Sequence, residues 1–236
     1  MLELNNIVKK YFIGKPNELE VLKKISLTID EGELISIVGQ SGSGKTTLMN
    51  IIGALDRPTE GTYVLDGTPI EEMTDNELSE IRNKKIGFVF QTFNLIAKIN
   101  ALNNVELPMF YKGVPKKIRR ERAKYLLSLV GMEDRLTHMP NELSGGEKQR
   151  VAIARSLANE PSIILADEPT GSLDTKTGNI VMDLFLKIHK EEKKTVVLIT
   201  HNEELAKQTE RIITIRDGKI VDDTPNLTPY RRENSV

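Results

Sequence analysis

Residues 34–52 read LISIVGQSGSGKTTLMNII, an apolar run, a glycine-rich segment and a second, mainly apolar run. Residues 39–47, GQSGSGKTT, match the pattern G-x-x-x-x-G-K-[ST], which requires a buried strand before it and a helix after it, and both flanks fit. Glycines let consecutive backbone N–H groups curl around a phosphate, and the lysine adds a compact positive charge. The stretch predicts an α/β protein with a phosphate-binding loop, in preference to an incidental glycine-rich turn.

The predicted phosphate contacts come from this loop and the first turn of the helix after it. They are Gly39, Ser41, Gly42, Ser43, Gly44, Lys45, Thr46 and Thr47. Lys45 is expected to lie between the β- and γ-phosphates, and the Thr46 hydroxyl is expected to ligate Mg²⁺. The sequence thus indicates a nucleoside triphosphate and magnesium as the ligands.

Other short, continuous apolar runs are typical of strands buried on both faces of a parallel sheet. They lie at 86–90, 163–166, 196–200 and 212–215. Alternation at 25–29 and the stretch 61–67 instead predict antiparallel strands. Between about 92 and 160 only helix signals occur, with Pro115 and Ser144 as helix starts. We therefore predict an α/β core with an N-terminal antiparallel β subdomain and an inserted α-helical subdomain.

After the last apolar run, the sequence becomes mainly polar. The turn RDGK at 216–219 predicts a hairpin, whereas the polar sequence at 222–236 predicts a loose tail. The predicted domain therefore covers residues 1–221.

A second helix start also has the character of an anion site. Residues 142–150 read ELSGGEKQR, in which Ser144 and Glu147 form a capping-box pattern. The glycines between them leave the first backbone N–H groups of the helix uncovered, and such a helix end attracts an anion. One chain therefore has two candidate phosphate sites.

Polar side chains follow three of the predicted parallel strands, at the sheet edge where ligands of open α/β sheets bind. Asp167 would hold Mg²⁺ through water, and Glu168 would act as general base toward an attacking water. Gln91 and His201 end their strands in the same way: the Gln91 amide would contact Mg²⁺ or the attacking water, and His201 would reach the γ-phosphate. Taken alone, an acidic pair at a strand end is often a solvated turn, and a lone histidine is usually a surface or core residue.

In this order along the chain, the motifs resemble those of the nucleotide-binding subunits of ABC transporters. They are GQSGSGKTT (Walker A), Gln91 (Q-loop), LSGGEKQR (signature), IILADE (Walker B with its glutamate), GSLD at 171–174 (D-loop) and His201 (switch histidine). The resemblance covers roughly residues 1–221. The stretches NIIGALDRPTEG, KIGFVFQTFNLI, NNVELP and ADEPTGSLDTKTG are similar to the branch with lipoprotein-release, macrolide-export, bacitracin-resistance and cell-division ATPases.

The resemblance implies a RecA-like P-loop fold that binds ATP and Mg²⁺. It also implies a head-to-tail homodimer, or a heterodimer with a close relative, in which Ser144, Gly145 and Gly146 contact the γ-phosphate bound by the other subunit. Glu147 stands where the commonest family pattern has Gln, and in a capping box it folds back onto the Ser144 N–H. A family position near the N-terminus, where an aromatic ring stacks on adenine, matches Tyr11. The alternative for that position is Phe12.

Composition limits the partners of the chain. Its 33 Lys and Arg residues nearly balance 34 Asp and Glu, which gives no overall field to hold a nucleic acid. It has no cysteine, no apolar run long enough to span a bilayer and no signal-peptide core. We therefore expect a cytoplasmic protein, held at the inner face of the membrane by a polytopic permease subunit as the resemblance implies. The alternatives are a soluble ABC ATPase of DNA repair or translation and a small-molecule kinase, which leaves the signature helix unexplained.

Two further segments bear on partners. The apolar residues of QTFNLIAKINALNN at 91–104 either pack the helical subdomain or, as the resemblance implies, form the docking site for a coupling helix of the membrane subunit. The basic segment KKIRRERAK at 116–124 is interpreted as the solvated face of a helix with Ile118, Leu126 and Leu129 inward, the alternative being contact with lipid head groups or a membrane partner.

Overall fold

The computed structural model describes residues 1–227 and 229 and divides the chain into two compact units. The first contains Met1–Leu78 and the chain from Thr195 onward, and the second contains Ser79–Lys194. The first unit is therefore built from two separate stretches of chain. Throughout the described residues, no helix is both long and apolar enough to cross a bilayer.

The first unit contains an antiparallel sheet of four strands. They are β1 (Leu2–Tyr11), β2 (Leu19–Ile29), β4 (Glu60–Leu65) and β5 (Thr68–Pro69), in the order β2-β1-β4-β5. In β2 the residues Ile25, Leu27 and Ile29 are buried and those between them are exposed, as alternation predicts. The pattern did not reveal β1, whose apolar alternation is interrupted where Asn6 adopts a φ of 51°. The predicted N-terminal antiparallel subdomain is confirmed.

The first unit also contains the parallel strands that carry the phosphate loop. β3 (Leu34–Val38) is parallel to β8 (Thr195–Thr200) on one side and to β9 (Arg211–Arg216) on the other. The register pairs Val38 with Thr200, so the residues that follow β3 and β8 leave the sheet at the same edge. Every residue of β8 is buried, which is why its sequence is an uninterrupted apolar run closed by threonines.

The hairpin predicted at 216–219 is confirmed by β10 (Lys219–Pro225), which runs antiparallel to β9. Asp217 and Gly218 form its turn with φ values of 49° and 79°, as a two-residue hairpin requires. The strand continues to Pro225, four residues into the segment expected to be a tail. The rest of that segment from position 228, apart from Pro229, lies outside the described residues.

Helix α1 (Lys45–Ile52) follows the phosphate loop and packs its buried residues Leu48 and Ile51 into the core of the first unit. It ends at Ile52 because Ala54 adopts a left-handed φ of 51° and the Leu55 N–H turns back to donate to the Asn50 carbonyl at 2.8 Å. The buried Tyr63 hydroxyl donates a 2.6 Å hydrogen bond to the Ile52 carbonyl, and burial raises the pKa of Tyr63. A short helix, α7 (Glu203–Ala206), follows β8.

The second unit joins two parallel strands to four helices. Its elements are β6 (Ile86–Phe90), α3 (Ala101–Tyr111), α4 (Lys116–Leu129), α5 (Gly145–Ser156), β7 (Ile163–Asp167) and α6 (Thr175–Glu192). Helix α2 (Asp75–Lys85) begins in the first unit and ends in the second. Residues 91–162, all of which the structure describes, contain helices and turns but no strand, in agreement with the predicted helical insertion.

The basic helix α4 differs from the prediction in one respect. Ala123, Leu126 and Leu127 are buried, whereas Ile118 is 61% exposed. The prediction that Ile118 points inward is wrong because α4 has apolar residues on two faces, and the spacing alone did not show which face meets α3 and α5.

Candidate nucleotide site

The phosphate loop lies between β3 and α1 in the first unit. Gly44 is the residue before α1 and adopts a left-handed φ of 104°, and no side chain caps this helix start. The backbone N–H groups of the first helical turn have no acceptor within the helix, so the loop presents several donors to one point. The sequence folds this way because only glycine takes the φ of residue 44 at no cost.

Two side chains complete the loop. The Lys45 ammonium donates hydrogen bonds of 2.8 Å to the carbonyls of Gly39 and Gln40, which holds its charge over the loop. The Ser43 hydroxyl is buried and has no hydrogen-bond partner within the described residues. An unpaired buried hydroxyl, a lysine and an uncapped helix start all fit the oxygen atoms of a phosphate chain.

The glycine at position 39 is required by its neighbours. A Cβ atom there would lie 2.3 Å from the Ile215 carbonyl oxygen of β9 and 2.7 Å from the Ser43 hydroxyl. The loop therefore leaves β3 in contact with the adjacent strand, and a side chain at this point would displace it.

Tyr11 is the last residue of β1 and its hydroxyl donates a 3.1 Å hydrogen bond to Asp56. Burial, and then the Asp56 carboxylate, raises the pKa of Tyr11, while the Thr47 hydroxyl acts in the opposite direction. The Lys9 ammonium lies 5.1 Å from the centre of the ring. Tyr11, the residue predicted to stack on adenine, thus lies beside Thr47 at the phosphate loop. The alternative, Phe12, is 53% exposed.

The Asp56 carboxylate is the anchor of this group. Burial acts to raise its pKa, but hydrogen bonds from Lys9 at 2.6 Å and from the Arg57 N–H at 2.8 Å outweigh burial and lower the pKa below its ordinary value. Neither Lys9 nor Asp56 stood out in the sequence, because their pairing depends on how β1 meets the chain after α1.

His201 directly follows β8 in the first unit, and its side chain is exposed. Because Thr200 pairs with Val38, His201 and Gly39 leave adjacent strands at the same edge. The register therefore places His201 at the sheet edge from which the phosphate loop leaves β3.

Asp167 and Glu168 lie at the end of β7 in the second unit, and both are half-buried. Glu168 has a left-handed φ of 45°, which turns the chain sharply at that point, and its carbonyl accepts a 3.0 Å hydrogen bond from the Gly171 N–H. The fully buried Gln149 of α5 donates a 2.6 Å hydrogen bond to the Pro169 carbonyl. Gln149 was missed as a site residue, although it stands in the quoted signature motif.

Gln91 lies close to this turn within the second unit. Its carbonyl accepts a 3.0 Å hydrogen bond from the Ser172 hydroxyl, and a Cβ atom on Gly171 would lie 2.9 Å from the Gln91 side-chain amide. The structure thus brings together three predicted elements: the Q-loop glutamine, the start of the D-loop and the backbone of Glu168.

The helix start at Ser144 confirms the predicted capping box. The Ser144 hydroxyl accepts from the Glu147 N–H at 3.3 Å, and the Glu147 carboxylate accepts from the Ser144 N–H at 2.8 Å. Arg135 holds the other carboxylate oxygen at 3.0 Å. The Ser144 N–H first, then the Ser144 hydroxyl and Arg135, lower the pKa of Glu147 to about 2 against the effect of burial. The carboxylate is therefore turned back from the N–H groups of Gly145 and Gly146.

The segment after Gln91 is held by its backbone rather than by its side chains. Arg155 of α5 donates to the carbonyls of Phe93 at 2.9 Å and Asn94 at 2.5 Å. The buried Asn104 of α3 accepts from the Ile96 N–H at 2.8 Å and donates to the Ile99 carbonyl at 2.9 Å. Phe93, Leu95 and Ile99 are half-buried and Ile96 is 43% exposed, whereas Ala101 and Leu102 at the start of α3 are buried.

The residues predicted to hold magnesium are oxygen donors of the kind that this ion prefers. They are Thr46 in the first unit and Gln91 and Asp167 in the second. No group of three or more His, Asp or Glu residues that could hold a metal occurs within residues 1–227 and 229. Mg²⁺ usually takes one or two protein oxygens together with substrate phosphates and water.

A phosphate loop between a parallel strand and an uncapped helix start, with a second glycine-rich helix start elsewhere in the chain, defines a nucleotide-binding protein of the P-loop class. More narrowly, the chain belongs to the ABC transporter family, whose profile, described as ABC transporter, matches residues 22–171. It is an ATP-binding subunit with ATPase activity.

Relatives support this membership over nearly the whole chain. An uncharacterized ABC transporter ATP-binding protein of Bacillus subtilis, YknY, is 58% identical over 221 residues, which covers 94% of this chain and 95% of the relative. The macrolide export ATP-binding/permease protein MacB of Aggregatibacter actinomycetemcomitans is 48% identical over 217 residues, or 92% of this chain and 34% of MacB.

A solved structure of MJ0796, a protein of Methanocaldococcus jannaschii, superposes with a TM-score of 0.88 at 47% identity and covers 97% of this chain and 100% of that chain. It is described as a dimeric post-hydrolysis state of the ATP-binding cassette bound to ADP and Pi. The fold class, the family and the ATPase activity predicted from sequence are confirmed. The comparisons give no support to a role in DNA repair or translation.

Proposed function

We propose that two copies of this chain, or one copy and a closely related chain, bind two ATP molecules head to tail and drive a separate polytopic membrane subunit. The observation that carries the proposal is the presence of two glycine-rich helix starts, at α1 in the first unit, which no side chain caps, and at α5 in the second, where the cap involves Ser144 and Glu147. Each offers backbone N–H groups and roughly half a positive charge. A head-to-tail dimer gives both of them a phosphate to bind.

The α5 end suits a γ-phosphate because its one carboxylate is turned away. Glu147 is bound to the Ser144 N–H and to Arg135, so its charge is neutralised within its own chain. Gly146 has no room for a side chain, since a Cβ atom would lie 2.3 Å from the Thr177 methyl group. The N–H groups of Gly145 and Gly146 remain for the other subunit's nucleotide, and the Ser144 hydroxyl lies at the same helix start.

The proposed roles in hydrolysis follow the chemistry of each side chain. Lys45 neutralises the β- and γ-phosphates, and Glu168 accepts the proton of the attacking water. His201 and Gln91 contact the γ-phosphate or the attacking water. Mg²⁺ would be held by Thr46, Gln91 and, through water, Asp167, and it would neutralise charge on the phosphate oxygens.

Tyr11 is proposed to stack on the adenine. Its hydroxyl is tied to Asp56, which orients the ring, and an oriented ring loses less freedom when a base stacks on it. Phe12 has a φ of 56° and is the alternative.

The proposed membrane partner would dock on the apolar segment at 91–104, and the whole complex would sit at the cytoplasmic face of the membrane. The similarity to a macrolide export protein favours a complex that exports a drug, peptide or lipoprotein, or one that only transmits force. The partner surface is supported by side chains that remain accessible while Arg155 and Asn104 hold the backbone.

Mixing two inactive variants tests the head-to-tail arrangement. Lys45→Ala removes the phosphate-loop charge, and Ser144→Arg blocks the α5 helix start. In a mixed dimer one site combines the intact Lys45 of one subunit with the intact Ser144 of the other, so ATPase activity should return. Phosphate release, measured at several mixing ratios, checks this.

The control is a mixture of two preparations of Lys45→Ala, which should stay inactive. If mixed dimers are shown to form and yet hydrolyse no ATP at any ratio, the sites are confined to one chain and the arrangement is wrong.

A further inference from the structure

The outer surface of α4 and the end of α3 combine exposed apolar side chains with a cluster of positive charge. Four large side chains lie mostly in solvent here: Phe110 at 56%, Tyr111 at 73%, Ile118 at 61% and Tyr125 at 51% exposed. Both helices belong to the second unit. The nucleotide chemistry described above uses none of these residues, so their exposure needs a separate explanation.

The apolar residues on α4 form one stripe. Ile118 and Tyr125 are seven positions apart, which places them on the same side of the helix, two turns from each other. Lys117 and Lys124 have the same spacing on the neighbouring stripe. The opposite side carries Ala123, Leu126 and Leu127, all buried. The exposed side of α4 is therefore itself amphipathic.

The aromatic rings are held in place by guanidinium groups. The Arg119 guanidinium lies 5.3 Å from the centre of the Phe110 ring, and that of Arg122 lies 5.6 Å from the centre of the Tyr125 ring. Phe110 and Tyr111 meet edge to face with ring centres 5.7 Å apart. Each of the two cation–π contacts stabilises its ring in this exposed position.

A buried ion pair fixes α4 against α3. Glu106 of α3 is 6% exposed and accepts a 2.9 Å hydrogen bond from Arg119, with Arg120 at 3.8 Å. Arg119 also donates to the Val114 carbonyl at 3.2 Å. The surface is therefore a preformed platform.

The platform remains positive after its internal ion pairs are counted. Residues 112–124 contain seven Lys and Arg and one Glu. Subtracting Glu121 and the two outside acids that pair with arginines, Glu106 and Glu160, leaves 7 − 3 = +4. The whole chain carries −1, so this charge is strongly concentrated. A local charge of this kind attracts an anionic surface within about a Debye length, roughly 10 Å at moderate salt.

We propose that this platform, residues 110–125, is a peripheral contact site for anionic phospholipid. Lysines and arginines meet the head-group phosphates, while Tyr111, Ile118 and Tyr125 enter the boundary between head groups and acyl chains, where aromatic and basic side chains are stabilised together. Charge complementarity and the mixed aromatic and basic composition favour a lipid surface. The inference does not depend on the head-to-tail arrangement or on the proposed permease docking segment.

The test is binding of the purified chain to vesicles. Vesicles that contain phosphatidylglycerol should retain the chain in sedimentation, vesicles of phosphatidylcholine alone should not, and added salt should release it. Lys117→Glu/Lys124→Glu should weaken binding by about 30-fold or more, since each basic residue near an anionic surface contributes about 1 kcal/mol. A second variant, Tyr125→Ser, removes an apolar contact but no charge. It should therefore bind anionic vesicles more weakly, while the dependence of binding on salt concentration stays as in the original chain.

The matched control is Lys187→Glu/Lys190→Glu on α6, which makes the same change in net charge at exposed positions of the second unit. It should bind vesicles as the original chain does. Thermal melting and ATPase activity in solution should be unchanged in all variants, because none of these residues belongs to the nucleotide machinery.

Equal binding to anionic and neutral vesicles, or an equal loss in both double variants, would overturn the proposal. So would a Lys117→Glu/Lys124→Glu chain that binds vesicles normally but no longer captures its membrane permease in detergent, since the platform would then serve a protein partner.

Discussion

Glu147 shows how one side chain can be compatible with a phosphate site despite its charge. Its carboxylate accepts from the Ser144 N–H and from Arg135, so the negative charge stabilises the start of α5 instead of facing the anion. The commonest family pattern has Gln at this position, and an amide can also accept from the Ser144 N–H. Sequence position alone suggests repulsion of phosphate, and the contacts remove that objection.

The low pKa of Glu147 predicts a pH-dependent contribution to stability. A carboxyl whose pKa falls from 4.5 to about 2 on folding stabilises the fold above pH 4.5, and this contribution is lost as the pH falls toward 2. Glu147→Gln should therefore lower the melting temperature by a few degrees at neutral pH, the effect of about 1 kcal/mol of capping energy. The difference from the original chain should disappear in acid.

Thermal melting of both chains from neutral pH to below the ordinary carboxyl range measures this. Glu133→Gln is the control, since Glu133 is exposed and lies in the nearby 133–135 turn. A melting difference that persists unchanged into acid would mean that the Glu147 charge has no part in the cap.

The segment at 91–104 shows how an element can be positioned by its backbone. Arg155 binds two of its carbonyls, and burial lowers the pKa of Arg155 without removing its charge in the neutral range. Asn104 forms a small network with the backbone from Ile96 to Asn100. Hydrogen bonds from Arg155 and Asn104 therefore hold the backbone of the segment in place. Its exposed and half-buried apolar side chains are then available to a partner.

We expect Leu95→Glu and Ile96→Glu to separate docking from catalysis. The isolated chain should keep its melting temperature and its ATPase activity within a few-fold, whereas association with the membrane permease, and stimulation of turnover by it, should be lost. Ile180→Glu on α6 is a matched control, since Ile180 is 47% exposed and outside the segment.

Co-purification from membranes and phosphate release provide the two measurements. Loss of folding or of basal activity in the isolated chain would instead show that these side chains belong to the core of the second unit and that the partner docks elsewhere.

The elements that were predicted correctly are those with a local physical signal. The strand at 34–38 is a short, mainly apolar run, and the helix start at Ser144 has a Glu three residues later that closes a capping box. The phosphate loop needs glycines at fixed spacing. In each case a few neighbouring residues determine the backbone.

The features that were missed depend on residues far apart in the chain. Gln149 reaches the Pro169 carbonyl across twenty residues, and Lys9 reaches Asp56 across 47. The outward position of Ile118 depends on which face of α4 meets its neighbours. Spacing within one helix or strand contains none of this information, so it could be found only from tertiary structure.

At the scale of the whole molecule, hydrolysis should control the assembly of the dimer. Glu168→Gln removes the proposed general base and should lower turnover by about 10² to 10⁴ while ATP still binds. The neutral amide also removes a negative charge near the nucleotide. The variant should therefore form a stable ATP-bound dimer, whereas the original chain should form this dimer only until it hydrolyses the ATP.

Light scattering coupled to size exclusion, with and without ATP, measures the assembly, and single-turnover phosphate release measures the chemistry. Glu192→Gln at the end of α6 is an exposed control that should change neither. Normal single-turnover hydrolysis by Glu168→Gln would show that another residue is the base.

The pairing of β3 has a consequence for the newly made chain. Both strands beside it, β8 and β9, begin more than 150 residues later, at Thr195 and Arg211, whereas the second unit is one continuous stretch, Ser79–Lys194. We expect much of the second unit to fold before β3 acquires its neighbours, while β3 keeps two open edges until residues 195–216 have been translated. We therefore expect that nucleotide binding becomes possible only after β8 and β9 have been translated, and that the exposed edges of β3 favour aggregation until then.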